Sequence, residues 1–316
     1  MLSLIKKIRL PTLSKRYINN NYLKIIIALF ILYFVIQLLR KHKPINEGFS
    51  GLNQREKLVT KKKVDDIYDE FYNSIYDDLV YDDNKNKFEL TEIIRSTKMK
   101  PSKSIVLDIG CGNGHHVNLL TEKGIKSIGL DISPNMVKRA SMLYPNINVK
   151  QGDVLKEDLF NNNTFSHILS LYFTTYYIKD KQQYFDNCYK WLKPGGYLAL
   201  HLVNRDMFNP IVSAGDPFVM ISPQKHARER ITKTVVKFKD FKYKSRFNLD
   251  KENSKAYFEE SFKEDNTNKV RQNIHEFYME PQSTIIEKAK TSGFNLLGKI
   301  DLVNIKYEYQ YIYILQ

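Results

Sequence analysis

A buried strand that runs into a glycine-rich turn is the feature that most constrains this chain. The strand is apolar and rich in β-branched residues from Ser104 to Ile109, and three alternate glycines follow it at Gly110, Gly112 and Gly114. Glycines let the backbone turn tightly with no Cβ in the way, so a ligand can lie against main-chain amides at the start of the next helix. The sequence therefore predicts a nucleotide-cofactor site at this turn.

The spacing of the glycines distinguishes two kinds of nucleotide site. A dinucleotide fingerprint, Gly-x-Gly-x-x-Gly, that begins at Gly110 would require glycine at position 115, where the chain has His115. The observed Gly-x-Gly-x-Gly follows Asp108 by two residues and resembles the S-adenosylmethionine (SAM) loop of class I methyltransferases. The spacing therefore favours SAM over a dinucleotide.

Four further segments follow in the order in which this family would place them. Two strands end in carboxylates at Asp131 and Asp153, and a third strand runs from His167 to Phe173. The segment from Trp191 to Leu198 resembles the turn that leads from a helix into strand five of the family. The resemblance implies an α/β fold with a Rossmann-like, seven-stranded and mostly parallel sheet whose last strand is antiparallel.

Within the family, the chain looks most like the small-molecule branch that contains glycine N-methyltransferase and the sugar-amine N,N-dimethyltransferases. The segments that carry this resemblance are Tyr-Asp-Glu-Phe-Tyr at 68–72, Cys-Gly-Asn-Gly-His-His at 111–116, Phe-Thr-Thr-Tyr-Tyr at 173–177 and Glu-Phe-Tyr at 276–278. The resemblance implies an enzyme, a SAM-dependent methyltransferase that acts on a small molecule.

The resemblance also implies a role for each residue of the cofactor site. The three glycines would lie under the methionyl part of SAM, and Asp108 would organise the loop or bind the SAM ammonium group. Asp131 would bind the ribose hydroxyls and Asp153 the edge of the adenine. Leu171 would be an apolar neighbour of the cofactor, and Tyr68 would close over it from the N-terminal helix, with simple packing of Tyr68 as the alternative.

The acceptor site is predicted at the ends of strands four and five. A neutral amine needs little base catalysis, whereas a hydroxyl or carboxyl acceptor needs a proton acceptor, for which His201 and Asn204 are the candidates. Leu202 stands where the glycine-methylating relatives have arginine, which argues against an amino-acid acceptor. His201 could equally be a satisfied polar residue at a strand end. Tyr176 and Tyr177 are predicted to form the pocket wall.

Several other classes of methyltransferase lack support. Exocyclic-amine methylases of nucleic acids carry an Asp/Asn-Pro-Pro-aromatic motif after strand four, whereas the segment from Leu171 to Tyr176 contains no proline and no Pro-Cys pair. His115 and His116 are adjacent on a helix and diverge by about 100°, so no metal site is predicted. These observations favour a small-molecule acceptor, preferably an amine, over nucleic acid.

The N-terminal residues predict attachment to a membrane. Residues 1–46 contain nine Lys and Arg and no acid, so that +9 of the net charge of +14 lies there. Residues 1–21 form a basic segment, 22–39 an apolar stretch of the length of a transmembrane anchor, and 40–63 a polar juxtamembrane linker. The alternatives are a cleaved signal peptide, a buried core helix, and a mitochondrial presequence before an inner-membrane span. The basic residues do not orient the span, but the need for SAM favours a catalytic domain in the cytosol.

The methyltransferase domain is predicted to span residues 64–316 and to contain an insertion at 204–280. Basic and aromatic residues interleave from Val235 to Leu249, which predicts strands with a bend or bulge near Asp240. We predict that the insertion forms an antiparallel sheet over the active site. Two other functions remain open, namely a protein or RNA methyltransferase that uses the basic insertion, and a SAM-binding membrane scaffold without turnover.

Overall fold

The computed structural model describes residues 59–210 and 230–316, together with Leu29, Phe30, Leu32 and Tyr33. The chain divides into two units, Met1–Glu56 and Lys57–Gln316. In the first unit the four described residues are helical, and the remainder of the predicted anchor at 22–39 lies outside the described residues. Within the part that is described, no helix has both the length and the apolar character that a membrane span requires.

The second unit alternates strands and helices. Its helices are, in chain order, α1 (Val64–Ile67), α2 (Glu70–Val80), α3 (Asp83–Thr97), α4 (His115–Glu122), α5 (Pro134–Leu143), α6 (Thr174–Tyr177), α7 (Lys181–Trp191) and α8 (Gln282–Thr291). Its strands are β1 (Val59–Lys63), β2 (Ile105–Ile109), β3 (Lys126–Asp131), β4 (Val149–Gln151), β5 (Phe165–Ser170), β6 (Leu192–Val203), β7 (Lys233–Lys237), β8 (Phe241–Asp250), β9 (Lys255–Glu264), β10 (Val270–Tyr278), β11 (Leu296–Asp301) and β12 (Gln310–Leu315).

The larger sheet has seven strands in the order β11-β12-β6-β5-β2-β3-β4. The strands from β6 to β4 pair in parallel, and β12 pairs antiparallel with both β6 and β11. This topology confirms the predicted Rossmann-like sheet with an antiparallel last strand. Because parallel strands end at the same edge, the acidic ends of β2 and β3 lie side by side there.

Helices cover both faces of this sheet. Successive side chains on a strand point to opposite faces, so each central strand contributes to two cores. On one face Leu107 and Ile168 pack with α7 and α8, and on the other face Val106 and Leu169 pack with α3 and α4. The burial of strands on both faces explains their continuous apolar sequences.

The smaller sheet has five strands in the order β1-β10-β9-β8-β7. Four of them come from the predicted insertion and pair antiparallel, as expected. The fifth is a correction, because β1 occupies the last five residues of the segment predicted as a linker and pairs in parallel with β10. One edge strand of the smaller sheet therefore comes from residues that lie before the predicted start of the domain at residue 64.

A second correction concerns the segment from Val235 to Leu249. The two strands were predicted, but what lies between them is the turn of a hairpin and not a bend or bulge, and the Phe238 amide donates to the Phe241 carbonyl at 2.9 Å. The phase shift near Asp240 marks the turn. Alternate residues of β8, including Tyr243 and Phe247, are buried on one face. That face also carries buried polar side chains, Glu260 of β9 and His275 of β10.

Candidate active site

A cavity of about 1110 Å³ lies at the carboxyl ends of the parallel strands. Its lining comes from the ends of β2, β3 and β5, from α2 and the residues before it, and from β8, β9 and β10 of the smaller sheet. Ligands of open α/β sheets bind at this edge. All the sequence-predicted cofactor residues except Gly114 line this cavity, together with Tyr68 and two of the four predicted acceptor residues, Tyr177 and His201.

The glycine turn is tightly packed at Gly110 and open to the cavity at Gly112. Gly110 and Gly112 both have positive φ values, +68° and +52°. A Cβ on Gly110 would lie 2.4 Å from Thr174 Oγ1, whereas a Cβ on Gly112 would meet nothing closer than Tyr76 Cε1 at 3.9 Å. Gly110 is therefore required by its neighbours, and the backbone at Gly112 is open to a ligand in the cavity.

Asp108 ends β2 as a buried carboxylate without a hydrogen-bond partner for Oδ2 among the described atoms. Burial above all, together with the negative charges of Asp131 and Glu89, raises the pKa of Asp108 to about 6 against the opposing effect of His116. A buried carboxylate that lacks a partner is costly, and a cation placed beside it would offset that cost. The site is therefore complementary to a positively charged group.

Two more carboxylates line the same cavity. Asp131 accepts hydrogen bonds from the amides of Ser133 and Gly112, both at 2.9 Å, and burial raises its pKa. Asp153 accepts from the Leu155 amide at 3.0 Å. These backbone contacts orient the carboxylates, and each oxygen retains capacity to accept a further hydrogen bond from a ligand.

The backbone at the end of β5 is held in an unusual conformation. Leu171 is buried against the cavity, and Tyr172 beyond it has a φ of +52°, in the left-handed region that bulky residues avoid. The Tyr172 hydroxyl donates to Asn86 Oδ1 at 2.6 Å, and Lys85 Nζ lies 3.5 Å from the centre of its ring. Sequence reasoning did not single out Lys85, Asn86 or Tyr172.

His201 completes the support of Tyr172. Its Nδ1 contacts the Tyr172 carbonyl oxygen, which can only accept, and its Nε2 lies 3.2 Å from Gln310 Oε1. Burial lowers the pKa of His201 to about 4, so the ring is neutral near pH 7. In the neutral ring Nδ1 donates to the Tyr172 carbonyl, and Nε2 faces the side-chain amide of Gln310. This geometry favours the satisfied-polar alternative for His201 over proton transfer to an acceptor.

The remaining predicted acceptor residues separate. Tyr177 lines the cavity, whereas Tyr176 is buried and its hydroxyl accepts from the Val203 amide at 2.8 Å. Neighbouring residues of a helix point about 100° apart, so one tyrosine anchors the turn and the other faces the cavity. Asn204 is outside the described lining and accepts from the Asp206 amide at 3.1 Å, which makes it a turn residue in this structure.

Tyr68 lies at the centre of an aromatic wall. Its ring centroid is 5.6 Å from that of Tyr72, 6.2 Å from Tyr76 and 6.4 Å from Tyr177. Its carbonyl accepts from Asn135 Nδ2 at 2.9 Å, which ties it to the start of α5. Burial raises the pKa of the Tyr68 phenol well above its ordinary value, and the nearby Tyr177 raises it further.

A chain of hydrogen bonds runs from Tyr68 into the smaller sheet. The Tyr68 and Tyr177 hydroxyl oxygens are 3.0 Å apart, and the Tyr177 hydroxyl lies 2.5 Å from His275 Nδ1. His275 Nε2 lies 2.8 Å from Glu260 Oε2. Sequence reasoning missed Glu260 and His275, for which the available signal was a polar residue two positions from a phenylalanine on the same face of a strand, at Phe258 and Phe277.

The helix α2 is held over the cavity by polar contacts at both ends. At its start, Arg271 Nη1 contacts both oxygens of Asp69 at 2.7 and 2.8 Å. Near its end, Asp77 Oδ1 lies 2.9 Å from Asn113 Nδ2 and 2.8 Å from His115 Nε2. Burial would raise the pKa of Asp77, but the hydrogen bonds from His115 and Asn113 lower it overall.

Comparison with known proteins identifies the part of the chain that carries this site. Residues 107–200 match a family model described as a methyltransferase domain. That match includes the glycine turn, Asp108, Asp131, Asp153 and the ends of β5 and β6. It leaves the smaller sheet outside.

Two curated relatives resemble part of the chain. Phosphoethanolamine N-methyltransferase 3 of Arabidopsis thaliana is 34% identical over 114 residues, which are 34% of this chain and 23% of that protein. The dTDP-3-amino-3,4,6-trideoxy-alpha-D-glucopyranose N,N-dimethyltransferase of Streptomyces venezuelae is 26% identical over 138 residues, 43% of this chain and 55% of that protein. The similarity thus covers less than a quarter of the first relative and just over half of the second.

A solved structure extends the likeness to most of the chain. The SAM-bound amino pentose methyltransferase of Micromonospora echinaspora superposes with a TM-score of 0.55 at 17% identity, and the match covers 78% of this chain and 97% of that one. At this identity the comparison shows a shared fold. The shared fold extends well beyond the residues that the family model matches.

Proposed function

We propose that the chain, whose residues 107–200 match the family model of a methyltransferase domain, transfers the methyl group of SAM to a small amine. The observation that carries this proposal is the unpartnered carboxylate of Asp108 beside the open backbone of Gly112. The methionyl part of SAM fits these two residues. Its ammonium group would donate to the Asp108 carboxylate, and the rest of it would have room beside the Gly112 backbone.

The remaining residues of the cavity fit the other parts of SAM. Asp131 would accept from the ribose hydroxyls, Asp153 would face the adenine edge, and Leu171 would contact the cofactor through its apolar side chain. When bound, SAM would supply a sulfonium methyl group, to which the amine nitrogen bonds in line as the carbon–sulfur bond breaks and the thioether leaves. The protein aligns the two reactants and keeps water away from them.

The aromatic wall favours an amine as the acceptor. Tyr68, Tyr76, Tyr177 and Phe277 line the cavity, and aromatic faces attract a cationic nitrogen before it loses its proton. The described basic lining residues are Lys85 and Lys179, and Lys85 is paired with Glu89 at 2.5 Å. Because phosphate groups are usually bound by several basic side chains, we favour a sugar-like or other unphosphorylated amine over a phosphorylated one.

The names of the two relatives supply the compounds for a test. The full chain would be incubated with methyl-labelled SAM and a panel that contains phosphoethanolamine, ethanolamine and amino sugars. We expect an N-methylated product from at least one amine, with the unphosphorylated amines preferred. SAM binding without transfer to any amine, alcohol or cell metabolite would instead support the scaffold alternative.

We also propose that residues 22–39 anchor the chain in a membrane. The support is the apolar sequence of this segment, its basic flanks and the helical conformation of its four described residues. The catalytic domain would face the cytosol, where SAM is supplied, with the mitochondrial inner membrane as the alternative location. The membrane would then hold the enzyme near an acceptor that partitions into lipid.

A further inference from the structure

We propose that Glu260, His275 and Tyr177 form a proton-accepting chain that ends at Tyr68 and removes a proton from the acceptor amine. This inference rests on the proposed function and adds a catalytic group to it. An amine of ordinary basicity is mostly an ammonium ion near neutral pH and has no lone pair for methyl transfer. A pocket that binds the ammonium form therefore benefits from a base within hydrogen-bond reach.

The hydrogen bonds of the chain have a defined direction. Glu260 accepts from the Tyr243 hydroxyl at 2.8 Å and from Asn273 Nδ2 at 3.0 Å, and a carboxylate can only accept. His275 Nε2 is therefore the donor to Glu260 in the neutral ring. Its Nδ1 is then the acceptor, and it faces the Tyr177 hydroxyl.

The ionisation of Glu260 supports this direction. Burial would raise the pKa of Glu260, but His275, Asn273 and Tyr243 together lower it, so that the group is a carboxylate near neutral pH. Tyr177 donates to His275 and accepts from Tyr68, since one hydroxyl has a single proton. The Tyr68 oxygen, at the cavity end of this series of hydrogen bonds, then has lone pairs that are free to accept a proton.

The proton transfer balances without any further reactant. The N–H bond of the ammonium group breaks and its electron pair stays on nitrogen, while the proton goes to the Tyr68 oxygen. The Tyr68 proton moves to Tyr177, and the Tyr177 proton moves to His275 Nδ1. An ammonium ion and a neutral imidazole thus become an amine and an imidazolium ion, which the Glu260 carboxylate stabilises.

Both phenols remain protonated through this exchange. That agrees with the pKa values of Tyr68 and Tyr177, which burial raises above the ordinary phenol value. A shuttle of this kind needs hydroxyls in contact, not phenolates. The tyrosines act as carriers and the imidazole is the base.

Few titratable groups surround His275 in the described part of the structure. The groups that face His275 are Glu260 from β9, Tyr177 from α6, and Tyr68 and Tyr72 from the segment at the start of α2. The other ring contacts of His275 are with Phe258 and Phe277. Asp131 is the further charge that acts on the Tyr68 end.

A purely structural role explains this arrangement less well. Burial of a carboxylate and an imidazole costs several kcal/mol before their attraction is counted, and apolar side chains of similar size often stabilise a protein at least as well. Here the pair sits on the one face of the smaller sheet that meets the cavity, and its free end leads to the cavity through two hydroxyls. Glu260 does not line the cavity, so it acts as a positioning residue for His275.

The test uses the full chain and the amine that the panel above identifies. We expect Tyr177→Phe and His275→Gln to lower kcat by about 10²–10⁴-fold, the usual range for a positioned base. The Kd for SAM should not change. Added imidazole should restore part of the activity of His275→Gly, which a loss of packing would not allow. Glu260→Gln should lower kcat and weaken that rescue.

Matched controls use buried residues outside the cavity lining. His167 and Tyr184 are both buried within the Rossmann-like unit, and neither lines the cavity. His167→Gln and Tyr184→Phe should leave kcat unchanged even if they lower the melting temperature. Tyr177→Phe removes a single oxygen, so a folded variant is available even if the histidine variants are unstable.

Nitrogen NMR of His275 gives a readout that needs no acceptor. In the wild-type protein at neutral pH we expect the ring to carry its proton on Nε2, with Nδ1 unprotonated. A proton on Nδ1, or full activity of Tyr177→Phe and His275→Gln, would overturn the proposed chain. A wild-type protein that binds SAM but methylates no amine would overturn the proposed function itself, so the two failures are distinguishable.

Discussion

At the scale of single residues, Asp108 is the most informative side chain. It is buried, one of its oxygens accepts no hydrogen bond from the described atoms, and burial raises its pKa to about 6. A residue that only stabilised the fold would have a partner. Asp108 is therefore stabilising only when a donor or cation occupies the cavity.

This reasoning predicts opposite effects of Asp108→Asn on stability and on binding. A carboxyl whose pKa rises from 3.8 to about 6 on folding destabilises the folded state fully above pH 6 and not at all below its unfolded pKa. The variant should raise the free energy of unfolding of the ligand-free protein by about 1–3 kcal/mol at pH 7. It should weaken SAM binding at the same pH.

Urea denaturation at pH 7 and at pH 3.5 measures the first effect, and calorimetry measures the second. The gain in stability should disappear at pH 3.5, where the wild-type carboxyl is protonated in both states. A variant that is less stable than the wild type at pH 7 would show that Asp108 has a partner in the ligand-free protein.

His201 gives a second prediction at this scale. His201→Ala leaves the Tyr172 carbonyl and Gln310 without their contacts, so the free energy of unfolding should fall by about 1–3 kcal/mol. Turnover should fall by less than tenfold, measured with the accepted amine. A loss of about 10²–10⁴-fold in kcat at unchanged stability would restore His201 as a general base.

At the scale of elements, α2 is the part that joins the two sheets around the cavity. The ion pair of Asp69 with Arg271 connects its start to β10, and Asp77 connects its end to the glycine turn through Asn113. The helix is short and has only a few buried residues. Its apolar side chains also pack against the smaller sheet, and the polar contacts hold its two ends.

We expect Arg271→Leu to loosen α2 selectively. In this half-buried pair Nη1 contacts both oxygens of Asp69, while Nη2 donates to the Ile67 carbonyl, and its loss should cost about 1–3 kcal/mol of local stability. Hydrogen exchange should become faster in α2 and remain unchanged in β2 and β5. Lys87→Leu breaks the exposed pair with Asp83 and is the control, with an expected effect near zero. Equal exchange in wild type and Arg271→Leu would mean that α2 is held by packing alone.

The elements also show how far sequence reasoning reaches. The strands from β2 to β6 were predictable because of the motifs that follow them and, for the central strands β2 and β5, because of burial on both faces. β1 was not, because Val-Thr-Lys-Lys-Lys has no alternation of apolar residues, and main-chain hydrogen bonds to β10 determine its place. Hydrogen bonds between main chains require no particular side chains, so the sequence of β1 does not indicate this pairing.

The same limit applies to the site. Asp108, Asp131 and Asp153 follow strands and could be predicted from local sequence. The contacts of Glu260, His275 and Tyr177 join residues that are 15 and 98 positions apart. Their meeting depends on how the smaller sheet packs on α6, which no local pattern contains.

At the scale of the whole molecule, the chain combines the proposed methyltransferase domain with a basic N-terminal segment. The basic excess lies before residue 47, while the remaining residues carry 40 basic and 35 acidic side chains. Such a distribution places the charge at the proposed membrane attachment and not at the cavity. It disfavours the alternative in which the catalytic domain recognises RNA through net charge.

Membrane attachment gives a prediction for the full chain. An apolar span is held by burial and not by charge, so expressed protein should remain in the membrane fraction after treatment with high salt and with alkaline carbonate. A chain that begins at Lys57 should be found in the supernatant. Release of the full chain by salt alone would show that residues 1–46 bind the membrane surface through their basic side chains and do not span it.

The central claim is that the carboxylates at the strand ends hold SAM, and calorimetry tests it most directly. The full chain should bind SAM and its demethylated product, and Asp131→Ala should weaken binding by about 1.5–3 kcal/mol, the range for hydrogen bonds to a charged group. Asp158→Ala, an exposed carboxylate outside the cavity lining, should bind like the wild type. The absence of any heat with SAM, or equal affinity of wild type and Asp131→Ala, would contradict the account.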